Sequence, residues 1–398
     1  MVTTPKLDLD SLAPEGKVDS RVYTDPAILE LEFEKIFHKT WVYVAHESEL
    51  PDGGDYKLTH IGKHPVIVAR SSDDGQVRVF FNRCRHRGAT VCQLEYGNSN
   101  YFRCAYHGWV YNNGGGLVGV PFEEGYGEGF DKQKLGLVQV PRVDSYRGLI
   151  FASLSADGQT LEEHLGNAKL GLDFILADSD LVVSKGFNKF TYGGNWKLQL
   201  ENTVDGYHVG VLHKGFFEIV ERRTGFNRAP TGDLGRHRDL GGGHSTHSDD
   251  PYDPDFKKPE SGLFFNIGVF PNLDILALER DFPTQLRIVR PLAPDRTEVF
   301  LFPLLKKGAA REVNFDRLRR FEEFYGPAGF ASPDDWEIFG RVQRGVQANG
   351  IEGSQWSLHL RGLHTEQLDE RGIRTNRNDF GEASQRAFFR HWKKLLSE

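Results

Sequence analysis

Four residues constrain this chain more than any other feature of it. Arg83-Cys84-Arg85-His86-Arg87-Gly88 and Arg103-Cys104-Ala105-Tyr106-His107-Gly108-Trp109 form a C-x-H pair and a C-x-x-H pair, with seventeen residues between them. Each pair follows a β-rich run and precedes a glycine, so two β-loops can each present one sulfur and one nitrogen to a shared point. Structural zinc also accepts two thiolates and two imidazoles. Zinc sites of this composition more often group cysteines with cysteines and histidines with histidines. One Cys/His pair on each of two loops suits a [2Fe–2S] cluster, with two thiolates on one iron and two imidazoles on the other. Neutral imidazoles raise the potential, to roughly −150 to +300 mV against about −400 mV for all-cysteine ligation. The 3 cysteines are too few for a disulfide framework. The third, Cys92, reads as a small buried hydrophobe.

The 398 residues allow one large domain or two to three ordinary ones, and they can bury a core without staples. A net charge of −7 argues against nucleic acid or an anionic membrane as partner. No apolar run approaches the roughly 18 residues that cross a bilayer. The acidic first ten residues lack the apolar stretch of a signal peptide, so the expected location is cytoplasmic. There is no internal repeat. Thr24-Asp25-Pro26, then Leu29, Phe33 and Ile36, predict a capped helix. Residues 38–155 alternate short β-runs such as Pro65-Val66-Ile67-Val68-Ala69 with Asp-Gly and Asn-Gly turns, which predicts an all-β unit. Helical pattern returns after Gly158, and residues 187–200 read as a strand running into Asn195-Trp196-Lys197. Runs at 263–269, 274–278, 284–289 and 297–304 predict an antiparallel meander. Helices are predicted over 313–325, 333–346 and 383–396. The polar stretch 222–260 reads as a long lid or entrance loop. Its His237, His244 and His247 are candidates for a third metal site, with a solvated mobile loop the favoured alternative.

A second constellation lies at Asp205-Gly206-Tyr207-His208-Val209-Gly210-Val211-Leu212-His213. Five residues are about 500° of regular helix, which would not aim both histidines at one point. The helix is therefore expected to end or widen near Gly210. A non-haem Fe(II) site needs two histidines and one carboxylate on one face, leaving other positions open for O₂. Ser332-Pro333-Asp334-Asp335-Trp336-Glu337 is the best source of the acid. Its plain reading is a helix start with acids facing the dipole, and the sequence alone does not choose between Asp334 and Asp335. Asp205, three residues before His208, reads as a hydrogen-bonding brace for that imidazole. No G-x-G-x-x-G stands between a strand and a helix, so no dinucleotide site is expected in this chain.

These residues resemble Rieske non-haem iron aromatic-ring-hydroxylating oxygenases, α (large) subunit. The likeness starts with Cys84-x-His86 and Cys104-x-x-His107 and extends from Thr40-Trp41-Val42-Tyr43 through Val120-Pro121. It continues over nearly the whole chain, and the segments around 40–70, 201–213 and 327–348 look most like benzoate, anthranilate, salicylate or terephthalate dioxygenases. The resemblance implies an α+β fold: an all-β Rieske domain (38–155) inserted in a catalytic domain (1–37 and 156–398) with a large antiparallel sheet flanked by helices. It implies a [2Fe–2S] Rieske cluster on Cys84, His86, Cys104 and His107, and a mononuclear Fe(II) on His208, His213 and Asp335, the second acid of the doublet. It also implies electron transfer from His107 of one subunit through Asp205 of the next, with Asn202 at a position near the iron.

The implied activity is that of a terminal oxygenase component. It would use O₂ and electrons from a reductase, with or without a ferredoxin, in an α3 trimer or an α3β3 assembly with a small β subunit. The leading substrate is an aromatic carboxylic acid, converted to a cis-dihydrodiol. The alternatives are a Rieske monooxygenase (hydroxylase or demethylase), or action on an aromatic amine or neutral arene. A rival from another class is an electron carrier or zinc protein lacking a second iron. Arg287 and Arg290 are candidates to hold a substrate carboxylate. Period 2 puts them on opposite faces of the run 284–290, so at most one points inward.

Overall fold

The computed structural model describes residues 8–176, 180–226, 235–248, 251–252, 256–257, 264–278, 282–348, 351, 353–376 and 381–398. The chain divides into two compact units, residues 37–161 and residues 1–36 with 162–398.

The smaller unit is built of antiparallel strands. Val77–Phe81, His64–Arg70, Asp55–Ile61 and Tyr96–Asn98 form one sheet in that order. Val66, Ile67 and Val68 sit in its middle fully buried, which is why that run carries no alternation. Tyr101–Arg103, Val110–Asn112 and Leu117–Gly119 form a second sheet. Val42–His46 pairs with Leu149–Ser153, which pairs with Arg142–Tyr146. Ile67, Phe80, Phe102, Trp109 and Tyr111 pack in one core with Cys84 and Cys104, so both cysteines are part of the unit's interior.

The larger unit carries a ten-stranded antiparallel sheet among the described residues. Its spine is a meander: Arg236–Gly241, His244–Ser248, Phe265–Val269, Leu273–Ala277, Gln285–Ala293 and Arg296–Lys306 each pair with the next. Helix Pro26–Glu32 starts as its sequence dictates, with Asp25 Oδ1 accepting the Ala27 N–H at 2.8 Å. Glu32, at its end, is fully buried. Its carboxylate accepts from Lys197 Nζ, Trp196 Nε1 and Trp392 Nε1, each at 2.7 Å. Burial pushes the Lys197 ammonium down while Glu32 pushes it back up. These bonds tie helix Lys197–Thr203 to the helices Pro26–Glu32 and Ala383–Ser397.

Two expectations are corrected. Residues 236–248 are not a solvated loop; they form a buried hairpin in the sheet. Two of its histidines have interior partners. His237 Nδ1 stands 3.1 Å from Ser384 Oγ, and His244 Nε2 stands 2.7 Å from the His164 carbonyl oxygen. His237 and His247 stack at 4.1 Å, so the three histidines do not converge. Polarity read as solvation was here interior hydrogen bonding. The rest of 227–234 and most of 249–263, including Leu263, lies outside the described residues. The second correction concerns the helix break near the histidine pair: it falls at Val204 and not at Gly210.

Candidate metal centres and their cavity

The two Cys/His loops share one backbone design. The Cys84 N–H donates to the Ala89 carbonyl at 2.8 Å and the Gly88 N–H to the Cys84 carbonyl at 2.9 Å. The second loop repeats this, from Cys104 N–H to Trp109 at 2.8 Å and from Gly108 N–H to Cys104 at 3.0 Å. Gly88 and Gly108 close the loops at φ 80° and 74°, a region that favours glycine. The sulfurs are buried and the imidazoles half-exposed. His86 and His107 lie with ring centroids 4.5 Å apart, and His86 stacks on Trp109. His86 Nδ1 is buried without a hydrogen-bond partner, as a nitrogen kept for a metal would be. Burial and the neighbouring Cys84 push the Cys104 thiol up, a strain that binding as thiolate to iron would relieve. Tyr111 Oη accepts the Arg85 N–H at 3.0 Å and lies 3.3 Å from Cys84 Sγ. No spacing rule in the sequence pointed to Tyr111. Cys92 is buried, with its sulfur 3.8 Å from the Leu94 carbonyl.

The second centre is assembled from three segments. Helix Lys197–Thr203 ends where the Tyr207 N–H donates to Asp205 Oδ1 at 2.7 Å, an Asx turn. Gly206 is required here, because a Cβ would stand 2.3 Å from His247 Cε1. After the turn, His208 precedes the short helix Val209–Leu212 and His213 follows it. The break turns the two rings toward one another, 5.3 Å apart. Helix Ser332–Val346 supplies the acid from its first turn. Asp335 Oδ1 lies 3.6 Å from His208 Nε2 and 3.4 Å from His213 Nε2. Ligand atoms of His208, His213 and Asp335 all fall within 4.8 Å of one another, a donor set that suits one divalent cation.

Asp335 is 4% exposed, whereas the Asp334 side chain is 48% exposed and stands 3.6 Å from His213 Nδ1. Burial raises the Asp335 pKa, but His213 and His208 outweigh it and hold the carboxyl below its usual range. Asn202 Nδ2 donates to Asp335 Oδ1 at 3.1 Å and lies 3.2 Å from His208 Nε2. Asp205 Oδ2 lies 3.3 Å from His208 Nδ1, on the side of the ring away from Asp335. Burial pushes Asp205 up, and His208 more than reverses this.

The centre lines a cavity of about 470 Å³, within the usual range for small-molecule sites. Phe216, Phe282 and Phe324 form much of its wall, with Phe282 and Phe324 stacked at 4.1 Å. Arg287 lines it and is buried, while Arg290 pairs with Glu298 at 2.9 Å and is not among the lining residues.

A unit of paired Cys/His loops joined to a two-histidine, one-carboxylate centre defines the class of Rieske non-haem iron oxygenases. Residues 40–142 match the Rieske [2Fe–2S] domain, and residues 178–398 match the ring-hydroxylating α subunit catalytic domain. The chain is 35% identical to the anthranilate 1,2-dioxygenase large subunit of Acinetobacter baylyi, over 86% of this chain and 79% of that one. It is 34% identical to the toluate 1,2-dioxygenase α subunit of Pseudomonas putida, over 86% and 83%. A naphthalene 1,2-dioxygenase solved with indole in its active site is 27% identical, with a TM-score of 0.86 over 97% of this chain and 94% of that one. The chain belongs to the ring-hydroxylating oxygenase α subunits, whose cofactors are a Rieske [2Fe–2S] cluster and a mononuclear iron. No helix among the described residues is long and apolar enough to cross a membrane.

Proposed function

We propose that this chain is a terminal oxygenase that hydroxylates an aromatic carboxylic acid, with residues 38–155 as the cluster domain and 1–37 with 156–398 as the catalytic domain. Cys84, His86, Cys104 and His107 hold the cluster; His208, His213 and Asp335 hold the iron. When bound, these groups supply single electrons and activate O₂ for insertion into an aromatic ring. The chain's own residues do the rest. Asn202 orients Asp335 through a donated hydrogen bond, and Asp205 fixes the His208 ring by its Nδ1. Asp205 would also hydrogen-bond to His107 of a neighbouring copy, giving electrons a bonded path to His208 without being reduced itself, so the working form is α3 or α3β3. A closed ring of head-to-tail contacts places a donor of one copy beside an acceptor of the next. The phenylalanine walls hold the ring and exclude water. A reductase, with or without a ferredoxin, supplies electrons in the cytoplasm.

The observation that carries this reading is a two-histidine, one-carboxylate cluster lining an aromatic-walled cavity. The anthranilate and toluate specificities in the names of its relatives favour an acid. The test is product analysis on the metal-loaded protein with a chemical reductant, ¹⁸O₂ and a panel of aromatic acids, amines and neutral arenes. The expected product is a cis-dihydrodiol of an acid, carrying both oxygen atoms from O₂. Incorporation of one atom would assign monooxygenation. No hydroxylated product from any arene, with both iron centres loaded and the cluster reducible, would overturn the reading.

A further inference from the structure

Among the described residues, the cavity wall holds one buried guanidinium without an ion-pair partner. Arg287 lies on strand Gln285–Ala293, is 3% exposed, and lines the cavity. Its Nε meets Gln285 Oε1 only at 3.4 Å, and its guanidinium carbon stands 5.1 Å from the Tyr325 ring centroid. Among the described residues, no carboxylate forms an ion pair with it. The cavity's other arginine, Arg320, is half-exposed and already paired with Asp316 at 2.8 Å.

The carboxyl placed opposite Arg287 by sheet register is Asp274, fully buried on strand Leu273–Ala277. Thr203 Oγ1 lies 2.8 Å from Asp274 Oδ2 and 3.0 Å from the Gln199 carbonyl oxygen. One hydroxyl hydrogen cannot serve both acceptors. A protonated Asp274 resolves this by donating to Thr203, and burial pushes its carboxyl up to about 8. A neutral Asp274 does not cancel the guanidinium. Of the other described carboxylates that line the cavity, Glu323 is exposed and lies 3.5 Å from Arg223, while Asp205 and Asp335 balance the charge of a ferrous ion held beside them, which leaves Arg287 in surplus among the described residues. A buried cation without a counter-charge is costly, and a planar guanidinium fits a carboxylate through two parallel hydrogen bonds.

We infer that Arg287 is the specificity-determining residue of this cavity, binding the carboxylate of a monoanionic aromatic acid while Phe216, Phe282 and Phe324 hold its ring. The inference rests on the oxygenase reading for the fate of the ring, but its test is a binding measurement. Benzoate and its neutral isostere benzamide are titrated into the iron-loaded protein without O₂, using wild type, Arg287→Met, Arg287→Lys and Arg290→Met. Wild type should prefer benzoate at least about tenfold, as expected for a hydrogen-bonded charge pair. Arg287→Met should lose about 10- to 100-fold in benzoate affinity, with benzamide changed less than about threefold. Arg287→Lys should recover part of the loss, and Arg290→Met should behave as wild type. A merely structural arginine would weaken both ligands together, and that result overturns the inference. Equal wild-type binding of benzoate and benzamide also overturns it, whether or not Arg287→Met folds. Hydroxylation of neutral arenes by a protein without benzoate preference would remove this inference and leave the oxygenase reading standing. Benzoate preference lost in Arg287→Met, in a protein that hydroxylates no arene, would do the reverse.

Discussion

The cluster loops and the mononuclear centre are both metal sites, but they are made in opposite ways. Residues 84–89 and 104–109 are two copies of one local design: a ligating cysteine, a ligating histidine, and a glycine turn closed by the same pair of backbone bonds. Almost all of their information is local. The mononuclear centre draws His208 and His213 from either side of a broken helix and Asp335 from a helix more than a hundred residues later. Its geometry depends on the tertiary structure around it: the space beneath Gly206 and the Glu32 anchor under helix Lys197–Thr203. A locally encoded site should therefore fail only when its own residues are changed. A tertiary site should also fail when its supports are.

Asp205 is where the comparison can be broken most severely. Asp205→Ala should keep a reducible cluster and bound iron, yet lose nearly all product, if the carboxylate connects the centres. If Asp205 is only a local brace, iron occupancy should fall instead, because His208 loses its orienting partner. Cluster reduction, iron content and turnover measured in one preparation separate the two. A fully active monomer would rule out transfer between copies.

The support argument predicts a smaller but still large effect at Glu32. Removing it leaves Lys197 buried and unpaired and two indole N–H groups without an acceptor. Glu32→Ala should cost about 3–5 kcal/mol, lowering the thermal midpoint by about 10 °C. Iron should be lost from the mononuclear site at temperatures where the cluster colour persists. Colour and mononuclear iron disappearing together would argue against independent sites.

These contrasts explain what could be read from the sequence. The quartet Cys84, His86, Cys104 and His107 was legible because motif and loop coincide. His208 and His213 were legible as a pair, but Asp334 and Asp335 were not separable, because both satisfy a helix N-terminus equally well. Only burial and the distances to the imidazoles favour Asp335. Strand period limited Arg287 and Arg290 to one inward residue without saying which. The hairpin 236–248 reads as a loop in the sequence because its histidines find partners on segments distant in sequence, such as Ser384 and His164. Asp274 gave no signal at all; its state depends on a threonine, a carbonyl and a strand neighbour.

Asp274 carries the smallest predicted effect. Its folded-state pKa of about 8 lies above the ordinary carboxylate value of 3.8. The folded chain therefore holds a proton that the unfolded chain has released. Stability from this group is full below about pH 4 and is lost as pH rises toward 8. Asp274→Asn should flatten that slope, read as the thermal midpoint between pH 5 and 8. An unchanged slope would show that the carboxyl is not held neutral.

The most direct measurement is iron content with the Rieske EPR signal, taken side by side on Cys84→Ala, Asp335→Ala and Asp334→Ala. Wild type should carry about three irons per chain, two in the cluster and one mononuclear. Asp335→Ala should keep the full signal with about two irons and no turnover. Cys84→Ala should lose the signal and the brown colour while retaining about one iron. Asp334→Ala should match wild type in both, losing only about 0.3–1 kcal/mol of helix-dipole stabilisation. Full iron and activity in Asp335→Ala, or an intact signal in Cys84→Ala, would contradict the account.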